Sequence, residues 1–116
     1  MHFHILISKS FAVQMTRLEQ LHQFFQEDPN DPFNLYALAI EYQKHDASKA
    51  QRYFEQLVKE HDNYLPAYYT LGKFYADAGD TDRAIQIFEK GIEKAKAQNE
   101  TKTHRELKSA LDELMF

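Results

Sequence analysis

Histidine and the carboxylates are the residues of this chain that could do chemistry, and their spacing decides whether they do. Six histidines occur. His2 and His4 alternate near the start, while His22, His45, His61 and His104 fall in separate helices or turns. No cysteine accompanies them, and no His-Glu-x-x-His or comparable spacing puts two ligands on one helix face. This pattern predicts no metal site. Carboxylates are plentiful, as in Glu27-Asp28, Glu60-His61-Asp62 and the trio Asp77, Asp80 and Asp82. Acid–base work needs two of them converging in a cleft with pKa values pushed apart. These sit instead at helix ends and turns, where carboxylates cap. The stretch from Asp77 to Asp82 lacks the oxygen-ligand loop, with central Gly and final Glu, that calcium requires. No Gly-rich phosphate loop, nucleophile elbow or dinucleotide fingerprint is present. The expectation is a chain that is not an enzyme and takes no cofactor.

Charge and composition narrow the partners. Net charge is −4, and phosphate backbones attract basic surfaces, so nucleic acid is not the expected partner. Anionic membranes are disfavoured for the same reason. The lack of cysteine excludes disulfides and thiolate chemistry and fits a reducing compartment. No stretch approaches the roughly 20 apolar residues of a spanning helix. The opening residues have no basic region, and Ser8, Lys9 and Ser10 interrupt their apolar run, which argues against a secretory signal. A soluble, cytoplasmic protein that contacts other proteins is expected.

The elements that would position any site are helices. Only three Gly and three Pro punctuate the chain, and apolar residues recur at helical spacing in six windows. The first holds Leu18, Leu21, His22 and Phe25, opened by Thr16 with Glu19 three residues on, a capping-box signature. It should stop before Asp28-Pro29. The second holds Leu35, Leu38, Ala39 and Tyr42 behind Asp31-Pro32, an N-cap followed by proline at the first helical position. The third holds Ala50, Tyr53, Phe54, Leu57 and Val58, with Asp46 or Ser48 as cap. The fourth holds Tyr68, Leu71, Gly72 and Tyr75 after Pro66, and Gly79 suits the left-handed position that ends it. The fifth holds Ala84, Phe88, Gly91, Ile92 and Ala95, capped by Asp80 or Thr81. The sixth holds Leu107, Ala110, Leu111 and Leu114, with Thr103 and Glu106 as a second capping box. The fold class expected is all-α, with about six antiparallel helices in one domain spanning 15–116.

Self-similarity is the strongest signal in the chain. Leu38-Ala39, Tyr42, Ala50 and Phe54 answer Leu71-Gly72, Tyr75, Ala84 and Phe88. The register slips by one residue only in the turn, where loops tolerate change. Close packing of two antiparallel helices explains the residue types. Ala39 and Gly72 let the second helix approach, Ala50 and Ala84 sit opposite, and the rings fill the space around that contact. Gly costs about 1 kcal/mol relative to Ala inside a helix, so Gly72 and Gly91 mark tight crossings.

This pattern resembles the tetratricopeptide repeat family, whose 34-residue unit carries a bulky residue, Leu and a small residue, Tyr, then Ala, Phe and Ala, and a closing Pro. The second unit, 65–98, matches as Tyr68, Leu71-Gly72, Tyr75, Ala84 and Phe88, and departs at Gly91 and Lys96. The first, 31–62, matches as Leu35, Leu38-Ala39, Tyr42, Ala50 and Phe54, and departs at Leu57 and Asp62. Asp28-Pro29 stands where a preceding unit would close, so helix 16–27 reads as the second half of an incomplete repeat. Helix 103–115 resembles the capping helix that ends such arrays, and caps are needed because no repeat covers its own apolar face.

The resemblance implies a site as well. In this family the first helices of successive repeats line a concave groove for a partner segment. The matching positions are Phe33, Tyr36, Ile40, Gln43 and Lys44 in the first unit, and Tyr69, Thr70, Lys73 and Asp77 in the second. Tyr36 and Tyr69 are equivalent and would pair along the groove floor. Alternatively, each packs against the next repeat's first helix. A subtype that clamps acidic tails needs Asn at two of these positions, which here carry Ile40 and Thr70, so that activity is expected to be absent.

Two functions follow. One is a protein-interaction module holding a peptide or protein segment in the groove. The other is a structural module that homodimerises through exposed repeat faces. Residues 1–14 read as an N-terminal extension ahead of Met15. Otherwise Phe3, Ile5, Leu6, Phe11 and Val13 form a first-half helix covering Leu18, Leu21 and Phe25, or an apolar tip that drives dimerisation.

Overall fold

A computed structural model describes residues 15–116. The readings placed on residues 1–14, including His2 and His4, lie outside the described residues. Six α-helices follow one another: α1 (Arg17–Glu27), α2 (Pro32–Tyr42), α3 (Ala47–Glu60), α4 (Pro66–Asp77), α5 (Thr81–Ala97) and α6 (Thr101–Met115). There is no strand among the described residues, and the fold is all-α.

Short polar side chains start most of the helices. Thr16 accepts from the Glu19 backbone N–H at 3.1 Å, Asp31 from Phe33 at 2.9 Å, Asp46 from Lys49 and Asp80 from Arg83, each at 3.2 Å. Each satisfies an orphan donor of a first turn. Pro32 and Pro66 take the opening positions of α2 and α4, where a missing N–H costs nothing. Helix α4 ends as Gly79 turns left-handed (φ 82°), which lets Asp80 N–H reach the Tyr75 carbonyl at 2.9 Å.

The last helix starts two residues earlier than its sequence suggests. Asn99 adopts φ 59°, and the Glu100 N–H returns to the Ala95 carbonyl at 2.9 Å, the same device that closes α4. Helix α6 then begins at Thr101 with no side-chain cap, and Thr103 lies inside its first turn. Helix α5 runs 17 residues against 14 for α3, since Pro66 follows α3 closely while no proline follows α5.

The packing runs in sequence order, each helix against the next. The fits of α4 on α5 and α5 on α6 are the most extensive, and the seam between α3 and α4 is the thinnest. A continuous core follows this line. Leu35, Leu38, Ala39, Ala50, Phe54, Tyr68, Leu71, Ala84, Phe88 and Leu107 are fully buried, while Tyr42 and Tyr75 expose only an edge. The neighbour that demands glycine at position 72 is Phe88: a Cβ there would lie on its ring, 2.6 Å from Cδ1. At Gly91 a Cβ would meet Tyr68 Cβ at 2.6 Å and Leu107 Cδ1 at 3.0 Å, so this glycine locks α5 between α4 and α6.

Polar contacts anchor the far end of α5 to the turn before α4. Lys94 Nζ lies 2.9 Å from Asp62 Oδ2, Gln98 donates to the Asn63 carbonyl at 3.0 Å, and the Tyr68 hydroxyl donates to the Asp62 carbonyl. The Lys94 ammonium, through its hydrogen bond and charge, holds the Asp62 carboxyl below its ordinary range.

Candidate functional site

Helix periodicity divides α2 and α4 into two faces. Leu35, Leu38, Ala39 and Tyr42 of α2 turn inward, as do Tyr68, Leu71, Gly72 and Tyr75 of α4. The other face is formed by Phe33, Tyr36 and Ile40 of α2, with Gln43 and Lys44 just past its end, and by Tyr69, Thr70, Lys73 and Asp77 of α4. Its exposure is uneven. Phe33 is 59% exposed and Tyr69 42%, which is high for large apolar bodies. Gln43, Lys44 and Asp77 are also exposed, whereas Tyr36, Ile40, Thr70 and Lys73 are half-buried.

The two equivalent tyrosines have different surroundings. Tyr36 shares a 2.8 Å hydrogen bond with Thr70 Oγ1, and its ring lies 5.5 Å from that of Tyr64 and 6.5 Å from that of Phe54. Tyr36 therefore packs across the seam between the units. Tyr69 takes Phe88 as its ring neighbour, at 6.4 Å. The expected Tyr36–Tyr69 pair does not form on the floor: Tyr36 bonds to α4, the next repeat's first helix, and Tyr69 leans on Phe88 of α5. Burial and the neighbouring Tyr36 push the Tyr64 hydroxyl above its ordinary pKa, with Asp31 adding to the shift.

Tyr69 borders a cleft of about 600 Å3 whose other wall is α6: Arg105, Glu106, Ser109, Ala110 and Glu113. Sequence reasoning assigned no groove role to α6, yet the signal was present. Arg105, Glu106, Ser109 and Glu113 stand 36 residues after Tyr69, Thr70, Lys73 and Asp77. Leu107 and Leu111 follow Leu71 and Tyr75 by the same interval. So α6 repeats the two-faced pattern of α4, delayed by the extra length of α5. The cleft is amphipathic: the Tyr69 ring on α4 faces one cationic and two anionic side chains on α6, Arg105, Glu106 and Glu113. Among the described residues, no group of three His, Cys, Asp or Glu could hold a metal ion.

Comparison with known proteins agrees with this geometry. A family model described as tetratricopeptide repeat matches residues 41–103. The solution structure of a tetratricopeptide repeat domain protein from Salinibacter ruber is 44% identical, covering 75% of this chain and 89% of that one, with a TM-score of 0.71. A crystal structure of a tetratricopeptide repeat domain protein from the same organism is 42% identical over 73% of this chain and 97% of that one, with a TM-score of 0.69. The solution structure of a Bordetella parapertussis protein covers 88% of this chain and 90% of that one with a TM-score of 0.74; at 21% identity it speaks to fold alone. No curated protein matches the chain.

Proposed function

The chain belongs to the tetratricopeptide repeat family, and from that membership we propose that it is a non-catalytic interaction module holding a peptide or protein segment along α2, α4 and α6. Members of this family generally serve protein–protein contact. The observation that carries the reading is Tyr69. A large aromatic side chain stands 42% exposed beside an open cleft, where it contributes little to the core. Amphipathic tyrosines in such settings act as anchors for a partner segment. Phe33 extends the apolar surface along α2, Ile40, Lys73 and Thr70 form the shallow middle, and Arg105 and Glu106 supply charge partners. Gln43, Lys44 and Asp77 lie at the polar rim.

Tyr36 contributes to the same face but also bridges the units, so it is a poor probe of binding. The test uses Tyr69→Ser and Phe33→Ser, alone and combined. Both side chains are exposed, so helicity should be retained by circular dichroism. Affinity capture by the wild type and the double variant, read by mass spectrometry, should return proteins that the variant loses. Equal recoveries would remove the groove assignment. A groove of this size buries less than about 1,200 Å2, which suits a transient complex of roughly micromolar affinity.

A second reading, self-association, is favoured by the exposure of Phe24 (48%) close to Phe33, where Asn34 Nδ2 donates to the Phe24 carbonyl. Light scattering at high micromolar concentration separates the two readings, since a monomer there excludes a structural homodimer. No helix among the described residues is long and apolar enough to cross a membrane. A cytoplasmic location belongs to the same proposal, on the strength of the cysteine-free sequence.

A further inference from the structure

The two repeats treat the same place on their second-helix side differently. In the second unit, the Tyr75 hydroxyl donates to Glu55 Oε1 at 2.9 Å, and the Arg83 guanidinium lies over the Tyr75 ring at 5.8 Å. The phenol thus stands between a carboxylate of α3 and a cation of α5, and the Arg83 guanidinium has its ion pair with Asp80, at 3.4 Å. In the first unit, Tyr42 replaces Tyr75 and Lys49 replaces Arg83, with Nζ 5.6 Å from the ring centre. The carboxylate is missing: the residue equivalent to Glu55 is His22, whose Nε2 shares a 2.6 Å hydrogen bond with the Tyr42 hydroxyl.

Two cations, Lys49 and Arg52, stand in the cleft beside His22. His22, Tyr42, Lys49, Arg52, Tyr53 and Gln56 line about 480 Å3 between α1, α2 and α3. Neither Lys49 nor Arg52 forms an ion pair among the described residues. The two carboxylates nearest in sequence are engaged elsewhere. Asp46 caps α3, and Glu55 accepts from Gln51 Nε2 and Tyr75. Residues 1–14 contain no Asp or Glu. The floor is flat and aromatic: Tyr53 stacks on Tyr42 with centroids 5.3 Å apart and planes 17° apart.

We propose that this cleft binds a carboxylate side chain of an acidic partner segment, which would sit beside His22 between Lys49 and Arg52 and supply the negative charge that Glu55 supplies in the second unit. The Arg52 fork and the Lys49 ammonium would hold the anion. The Tyr42–Tyr53 stack would seat an adjoining apolar side chain. The second unit argues for a carboxylate over a larger anion, because the same scaffold already accommodates one. The cleft shares no residue with the α2–α4–α6 groove, so the proposal stands independently of that reading.

The test uses a fluorescent ten-residue peptide with two adjacent glutamates between leucines, a twin in which both are glutamine, and a third in which both are phosphoserine. With the whole chain at low salt, the glutamate peptide should bind about tenfold tighter than the glutamine twin. Amide and Arg52 Nε resonances around His22, Lys49 and Tyr53 should shift, while those around Tyr69 stay in place. Lys49→Gln with Arg52→Gln should weaken binding at least about fivefold without lowering the melting temperature. The sharper variant is His22→Glu, which supplies the missing carboxylate from within. It should abolish peptide binding and raise the melting temperature. Equal binding of the glutamine twin, preference for the phosphoserine peptide, shifts centred on Tyr69, or full binding by folded His22→Glu would each overturn the proposal.

Discussion

Tyr36 and Thr70 stand one repeat apart, and their side-chain oxygens meet at 2.8 Å. This bond crosses from α2 to α4 above the α3–α4 seam, the thinnest junction in the stack. A repeat array is stable only as far as its neighbouring units hold one another. The contact therefore bears on the cooperativity of the whole chain as well as on one face.

Removing the hydroxyl and removing the ring should separate cleanly. Tyr36→Phe loses one partly exposed hydrogen bond and should cost about 1 kcal/mol, because Thr70 can turn to water. Tyr36→Ala also removes the contacts with Tyr64 and Phe54 and should cost about 2–3 kcal/mol. Urea unfolding reads both as a lowered midpoint. Equal midpoints for the two variants would show that the ring contributes nothing. A shallower slope for Tyr36→Ala would mean that the units have begun to unfold separately.

Gly72 and Gly91 should each resist even alanine. In an exposed helix interior, Gly→Ala stabilises by about 1 kcal/mol. Here the added Cβ meets the fully buried Phe88 ring, or the Tyr68 Cβ, which cannot swing aside because it is fixed to the α4 backbone. Overpacking of this kind costs about 1–3 kcal/mol, so both variants should be less stable than the parent by thermal melting. Gly91→Ala should be the worse of the two, since its neighbour has no rotamer to change. A rise in melting temperature for Gly91→Ala would contradict the crossing geometry at α4, α5 and α6.

The fold was readable from side-chain types because the helices are amphipathic and the same packing solution occurs twice. Leu38-Ala39-Tyr42 and Leu71-Gly72-Tyr75 can be recognised in the chain because each must fill the same space. The helix start at Asp31 was visible too, and those at Asp46 and Asp80 were narrowed to two candidates each, against Ser48 and Thr81, since a short acceptor before a run serves as a cap. The start of α6 was not. It depends on Asn99 adopting a left-handed conformation that glycine usually takes, and on α5 running past Lys96. That displacement also hid Arg105, Glu106, Ser109 and Glu113, whose register appears only once α5 has its true length. The different fates of Tyr36 and Tyr69 were illegible for another reason. Two residues at equivalent positions had to be distinguished by their neighbours, Thr70 and Tyr64 for one and an open cleft for the other.

Alkaline pH should unfold the protein earlier than exposed tyrosines would allow. Burial, together with the charge of Asp62, pushes the Tyr68 hydroxyl up to about 12; burial, with the hydrogen bond and charge of Glu55, does the same to Tyr75. In the unfolded chain both titrate near 10. Between these values the unfolded state releases protons that the folded state keeps, so stability falls as pH rises. It is fully present below about pH 10 and declines by at most about 1.4 kcal/mol per pH unit for each tyrosine. Urea midpoints at pH 9, 10 and 11 should decline, and tyrosinate absorbance should appear in two phases. Tyr75→Phe should flatten the decline. A midpoint constant to pH 11 would mean that these hydroxyls ionise freely in the fold.

Helix α6 ends the core and also walls the cleft, and Leu107 joins the two roles. Its side chain is fully buried and rests against Gly91, opposite Tyr68, while Arg105, Glu106 and Ser109 on the other face border Tyr69. Leu107→Ala leaves a cavity at that junction and should cost about 2–4 kcal/mol, whereas Leu114→Ala, half-buried at the penultimate position of the helix, should cost about half as much. The loss at 107 should reach further than its own contacts. Without it α6 can lift from α5, exposing the flank of the second repeat that this helix exists to cover. Amide hydrogen exchange tests this directly. In Leu107→Ala, protection should fall through α6 and α5 while α2 and α3 keep theirs; in Leu114→Ala, it should fall only in the last turn of α6. A uniform loss across all six helices would mean instead that the chain unfolds as one unit and that α6 has no separate docking equilibrium.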